Sequence, residues 1–107
     1  MSTSAVIKVP GVNVFLYKHF DGYPKATLPW LEAFNHEFTK RRGIDPQYKM
    51  AQLVRSSVFM AAEFRLDKSC ITGWGIVDSS IMGEYIYILN DDGSVTWKKG
   101  DNGMVDV

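Results

Sequence analysis

His19, Asp21 and Tyr23 come nearest in this chain to a chemical constellation: a histidine exchanges protons near neutral pH, a carboxylate can orient its ring, and a phenol can donate a hydrogen bond. Their setting weakens that reading. Residues two apart share one side of a strand only while the strand continues. Asp21-Gly22 is turn chemistry, because aspartate accepts from nearby backbone amides and glycine takes dihedrals that other residues avoid. A local turn is therefore the plainer expectation, and a small-molecule or enzymatic pocket beside His19, Asp21 and Tyr23 is the alternative.

The other reactive residues are more scattered. Glu32 and His36 stand four apart, which places them on one helix face, but no second histidine or cysteine lies at ligand spacing, so no metal and no cofactor is expected. Cys70 is the single cysteine and has no histidine near it in sequence, so it reads as an incidental thiol rather than a nucleophile. Gly73-Trp74-Gly75 lacks the lysine and helix start of a phosphate loop, and Asn90-Asp91-Asp92-Gly93 is too short for a calcium loop. Lys40-Arg41-Arg42 falls at a helix end, where cations offset the macrodipole. No catalytic residue emerges from this survey.

The elements that would position these groups follow from composition and periodicity. A chain of 107 residues with 46% apolar residues reads as one domain, 1–107, able to bury its own core. Twelve basic residues balance twelve acidic ones, which argues against nucleic acid and anionic membranes as partners. No basic-then-apolar leader opens the chain, one cysteine cannot form an intrachain disulfide, and no apolar run approaches the roughly 20 residues needed to span a bilayer. A cytoplasmic protein is expected.

Two short strands open the chain, Ala5 to Val9 and Val12 to Lys18, split by the turn dipeptide Pro10-Gly11. Helical spacing of Leu31, Phe34 and Phe38 predicts a helix over Leu28 to Arg41, with Thr27 as N-cap, Pro29 in the first turn and Gly43 as the stop. Asp45-Pro46 starts a second helix to about Phe64, with Met50, Ala51, Val54, Val58, Ala61 and Ala62 as its buried stripe. Thr72 to Val77, Glu84 to Asn90 and Ser94 to Lys98 then predict three strands, the last two joined through Asp92-Gly93. Gly100 to Val107 reads as a frayed tail. The order ββααβββ predicts an α+β two-layer sandwich, with about five antiparallel strands and both helices on one sheet face.

Alternation within the strands nominates a surface. If Val14, Leu16, Ile86 and Ile88 face the helices, then Phe15, Tyr17, Tyr85 and Tyr87 project from the opposite face, with Trp74 or Trp97 beside them. One helical layer cannot cover both faces, and tyrosine and tryptophan suit interfaces that must also meet water. This predicts a homodimer or another protein partner on the aromatic face, with single-stranded nucleic acid stacked on the same rings as a further alternative.

The stretch YKHFDGYP, Tyr17 to Pro24, resembles a tyrosine, basic residue, histidine, aromatic residue, aspartate, glycine, tyrosine, proline run in small uncharacterised proteins of phages, prophages and other mobile elements. There it also follows an early strand and precedes a helix, and GEYIYIL is a second point of similarity. The resemblance implies a mobile-element accessory protein and no mechanism. Composition, pattern and resemblance together point to a non-enzymatic accessory protein that works by protein contact.

Overall fold

The computed structural model describes residues 3–57 and 73–100. In chain order the elements are β1 (Ala5–Lys8), β2 (Phe15–Lys18), α1 (Pro24–Arg42), α2 (Pro46–Ser56), β3 (Trp74–Val77), β4 (Tyr85–Leu89) and β5 (Val95–Lys99). The α+β class and the ββααβββ order match the sequence reading. Val58, Ala61, Ala62, Phe64, Cys70, Thr72 and residues 101–107 lie outside the described residues.

The five strands form one sheet in the order β3-β2-β1-β4-β5. It is mixed, which corrects the expectation of an antiparallel sheet: β1 pairs with β2, β2 with β3 and β4 with β5 antiparallel, but β1 and β4 run parallel at the centre. Hairpin turns report only on neighbours in sequence. The central pair joins strands almost eighty residues apart, and their relative direction depends on the path between them.

That path supplies the cover of the second face. β3 and β4 run the same way on either side of the β1–β2 pair, so Asp78 to Glu84 must recross the sheet, and the helices already occupy one side. The segment is tied down by Ser4, whose Oγ donates to the Met82 carbonyl at 2.7 Å and accepts from the Glu84 amide at 3.1 Å. Gly83 lies so close to Val6 that a Cβ there would stand 2.8 Å from Val6 Cγ2. Val6 and Ile86 are consequently buried although they point away from the helices.

On the helix side, Ala5, Ile7, Val9, Leu16, Tyr87 and Leu89 pack with Leu31 of α1 and with Met50 and Leu53 of α2. Burial of such side chains, worth about 1.5–3 kcal/mol for each large one, is what holds two short layers together.

The first helix begins earlier than the sequence reading, and the second begins where expected but is capped and buried differently. α1 starts at Pro24, not Leu28, so the proline that opens the helix is Pro24, while Pro29 lies inside it. Thr27 is a buried helical residue whose Oγ1 donates to the Asp21 carbonyl at 2.7 Å instead of capping. Two prolines five apart both satisfy the first-turn rule, and the choice falls to tertiary bonds that fix the preceding turn. α2 starts at Asp45-Pro46 as expected, but the Asp45 carboxylate makes no cap and accepts from Arg42 Nε at 3.3 Å. Its buried residues are Lys49, Met50 and Leu53, whereas Ala51 and Val54 are exposed, so the buried stripe is rotated from the expected one.

Candidate functional site

The turn after β2 is built on carbonyl oxygens. Lys18, buried to 5% exposure, donates its ammonium to the carbonyls of Phe20 and Asp21; Thr27 also donates to Asp21; and the Tyr87 hydroxyl donates to the Gly22 carbonyl at 2.5 Å. The Gly22 amide in turn donates to the Thr3 carbonyl at 2.8 Å, and Asp21 takes a positive φ of 54°, which aspartate tolerates better than most residues. Three successive carbonyls are thus satisfied by side chains from a strand, a helix and a distant strand. The assembly is a joint between the layers.

Its nominated chemical residues are separated by that joint. His19 accepts or donates at Nδ1 with the Tyr17 hydroxyl at 2.8 Å and packs edge-on against Phe20, on the exposed side. Asp21 and Tyr23 are exposed too, but the contacts of this turn run through the Asp21 carbonyl rather than its carboxylate, and Tyr23 serves as the N-cap position of α1. His19 thus sits with Tyr17 and Phe20, whereas the Asp21 backbone belongs to the joint and Tyr23 to the start of α1.

The aromatic face divides in two. Residues paired across a ladder share a face. Ile7 pairs with Leu16 on one side and with Tyr87 on the other, so Tyr87 lies on the helix side, together with Tyr85, Trp74 and Trp97. Ring contacts agree: Trp74 meets Trp30 of α1 edge-on at 5.9 Å, and Trp97 lies 5.8 Å from Tyr85 and 6.5 Å from Tyr87. Phe15 and Tyr17 lie on the far face, half-buried, the former beneath the Lys8 ammonium at 4.9 Å. The expected parity is right for β2, where Leu16 faces the helices, and inverted for β4, where Ile86 and Ile88 face away. Val14 lies outside β2 and is 39% exposed. Stacking of bases on Tyr17 and Tyr87 together is excluded by this division.

Tyr87 is fully buried, and burial pushes its phenol well above the ordinary tyrosine value, with the nearby Tyr85 adding to the effect and the hydrogen bond with Thr27 opposing it. The group is a neutral donor at any physiological pH. Tyr87→Phe will leave the Gly22 carbonyl without this donor and is expected to cost about 1–3 kcal/mol in urea unfolding.

Three features escaped the sequence. The edge strand β3 carries no charge, and Ile76 is 55% exposed on it, with Phe20, 51% exposed, packed 3.2 Å from where a Gly73 Cβ would stand. Between α1 and α2 lies a cleft of about 430 Å³ lined by Phe34, Glu37, Phe38, Arg41, Arg42, Tyr48 and Gln52. Where α1, α2 and the β4–β5 turn meet, Asn35 donates to the carbonyls of Asn90 and Ser94, and buried Lys49 lies 5.6 Å above the Phe38 ring. Among the described residues, Asn35 Oδ1, Thr39 Oγ1 and Lys49 Nζ are the buried side-chain polar atoms without a hydrogen bond, and all three belong to the helices that bound this corner. A lysine at the start of an amphipathic helix reads as solvated, so nothing in its spacing announced burial.

Glu32 and His36 are exposed on the outer side of α1, and among the described residues no three His, Cys, Asp or Glu side chains gather. No helix among the described residues is long and apolar enough to cross a membrane. No protein-family model, no curated protein and no solved structure matches the chain.

Proposed function

We propose that this protein is a non-enzymatic binding module that pairs with a second copy of itself along the β3 edge. The observation that carries this reading is the contrast between the two sheet edges. β5 presents Lys98 and Lys99, both exposed, which is how sheets discourage edge-to-edge pairing. β3, WGIV, presents no charge, carries the exposed Ile76 and has the exposed Phe20 beside Gly73 at its start.

An edge strand leaves a row of amides and carbonyls that another strand can satisfy. Antiparallel pairing of β3 with its own copy closes on a two-fold axis, whereas β3 against β5 would propagate without closing and would meet the lysines. With the axis at Gly75, Trp74 of each copy would stand opposite Ile76 of the other, and the glycines would permit close approach. Contact between copies thus moves from the expected aromatic face to the edge beside it. The accessory role implied by the resemblance of YKHFDGYP is compatible with such a module.

Sedimentation equilibrium tests the reading directly. The wild type is expected to weigh as a dimer at tens of micromolar, and Ile76→Lys as a monomer with unchanged circular dichroism. A wild type that remains a monomer at about 1 mM overturns self-pairing, since that corresponds to less than about 4 kcal/mol of association.

A further inference from the structure

We propose that the α1–α2 cleft is a binding site for a small aromatic carboxylic acid, the ring held among Phe34, Phe38 and Tyr48 and the carboxylate on the terminal N–H groups of Arg41 and Arg42. This site is remote in character from the β3 edge and does not depend on pairing between copies.

The apolar part is preformed. Phe34 and Phe38 stack at 5.9 Å with 27° between their planes, and Phe38 meets Tyr48 at 6.0 Å and 40°. Three rings converging at such distances leave an aromatic wall that a fourth ring can extend by offset or edge contact. The cleft volume of about 430 Å³ is within the usual range for ligand pockets of roughly 300–1,000 Å³. An aliphatic guest would fill the space without using the ring quadrupoles.

The polar part is tethered. Arg41 Nε donates to Glu37 Oε1 at 3.1 Å and Arg42 Nε donates to Asp45 Oδ2 at 3.3 Å, so each guanidinium is tethered by its inner nitrogen. Among the described residues neither arginine donates a hydrogen bond from its terminal nitrogens. The Arg42 guanidinium lies 3.9 Å over the Tyr48 ring, a stacked pose that restricts its rotation. Both side chains line the cleft beside the Glu37 and Asp45 carboxylates, and their remaining terminal nitrogens are two-pronged donors whose geometry matches a carboxylate better than a point charge would. Behind Phe38 the unpartnered Lys49 ammonium adds positive potential to the same wall.

The occupant we assign is a free acid of low molecular weight, because the aromatic wall and the fork lie within one cleft of ligand size. Amide-resolved NMR titration with 3-phenylpropanoate tests this. The acid is expected to shift residues of α1 and α2 with a dissociation constant of about 1 mM. The neutral 3-phenylpropan-1-ol should bind about tenfold more weakly. Arg41→Gln, at a position whose side chain is 80% exposed, and Arg42→Lys, which keeps the charge but removes the fork, should each weaken the acid by a similar factor. Absence of shifts at 10 mM, or equal binding by the alcohol, overturns the proposal. So does a phenylalanine-terminated peptide that binds tenfold more tightly than the free acid, since the cleft would then be a peptide receptor.

Discussion

Gly22→Ala is expected to destabilise the protein by about 3 kcal/mol, lowering the urea midpoint without changing the slope of the transition. Gly22 is buried between the end of the β2 turn and the first residues of β1. A methyl group there would stand 2.6 Å from the Ser4 carbonyl carbon, 2.7 Å from its oxygen and 2.8 Å from Ala5 Cβ. Two of these are backbone atoms, which cannot rotate aside, and the third belongs to a fully buried residue. Relief requires moving β1, and β1 pairs with both β2 and β4 at the centre of the sheet. Gly43→Ala provides the contrast: no atom lies within 4 Å of its added Cβ, and only the positive φ of 73° opposes it, so a cost of about 1 kcal/mol is expected. Equal effects at the two positions would show that the close approach at Gly22 does not constrain the fold.

The second large effect separates the two buried lysines by sign. Lys18 and Lys49 are 5% and 1% exposed, and burial lowers the ammonium of each below the ordinary lysine value, opposed by Asp21 and Asp91 respectively. Lys18 donates to two turn carbonyls and stands 5.7 Å over the Trp74 ring. Lys18→Met would remove the ammonium that bonds both turn carbonyls and is expected to cost about 1–3 kcal/mol. Lys49 makes no hydrogen bond, and the Phe38 ring and Asp91 compensate its burial only in part, so Lys49→Met is expected to stabilise by about 1–3 kcal/mol. Loss of stability in Lys49→Met would mean that its ammonium is satisfied in solution.

The pH dependence follows from the same groups. Where a lysine is lowered by folding, the unfolded chain binds more protons, so stability rises as pH climbs from the lowered folded value toward the ordinary 10.5. Tyr87 acts oppositely, because above the ordinary tyrosine value of 10 the unfolded chain loses a proton that the folded one keeps. Unfolding midpoints should therefore rise on the approach to about pH 10 and fall above it. Lys49→Met should flatten the rise, and Tyr87→Phe the fall.

The sequence by itself determined what local chemistry controls. The helices, the strand count and the turns at Pro10-Gly11, Asp21-Gly22 and Asp92-Gly93 are legible because periodicity and backbone preference act within a few residues. Asp21-Gly22 was legible as a turn for the same reason. Tertiary structure alone decided which side of each strand faces the helices. In EYIYIL both alternating sets are apolar enough for a core, so hydrophobicity leaves the parity open. The parallel pairing of β4 with β1 resolves it by placing Tyr87 beside Ile7, and the Tyr87 hydroxyl can be buried there because the Gly22 carbonyl accepts its hydrogen bond. The same pairing forces Asp78 to Glu84 across the far face and leaves β3 as an uncharged edge, while the packing of α2 against Phe38 of α1 buries Lys49. Each of these depends on contacts between residues remote in sequence, which no local pattern encodes.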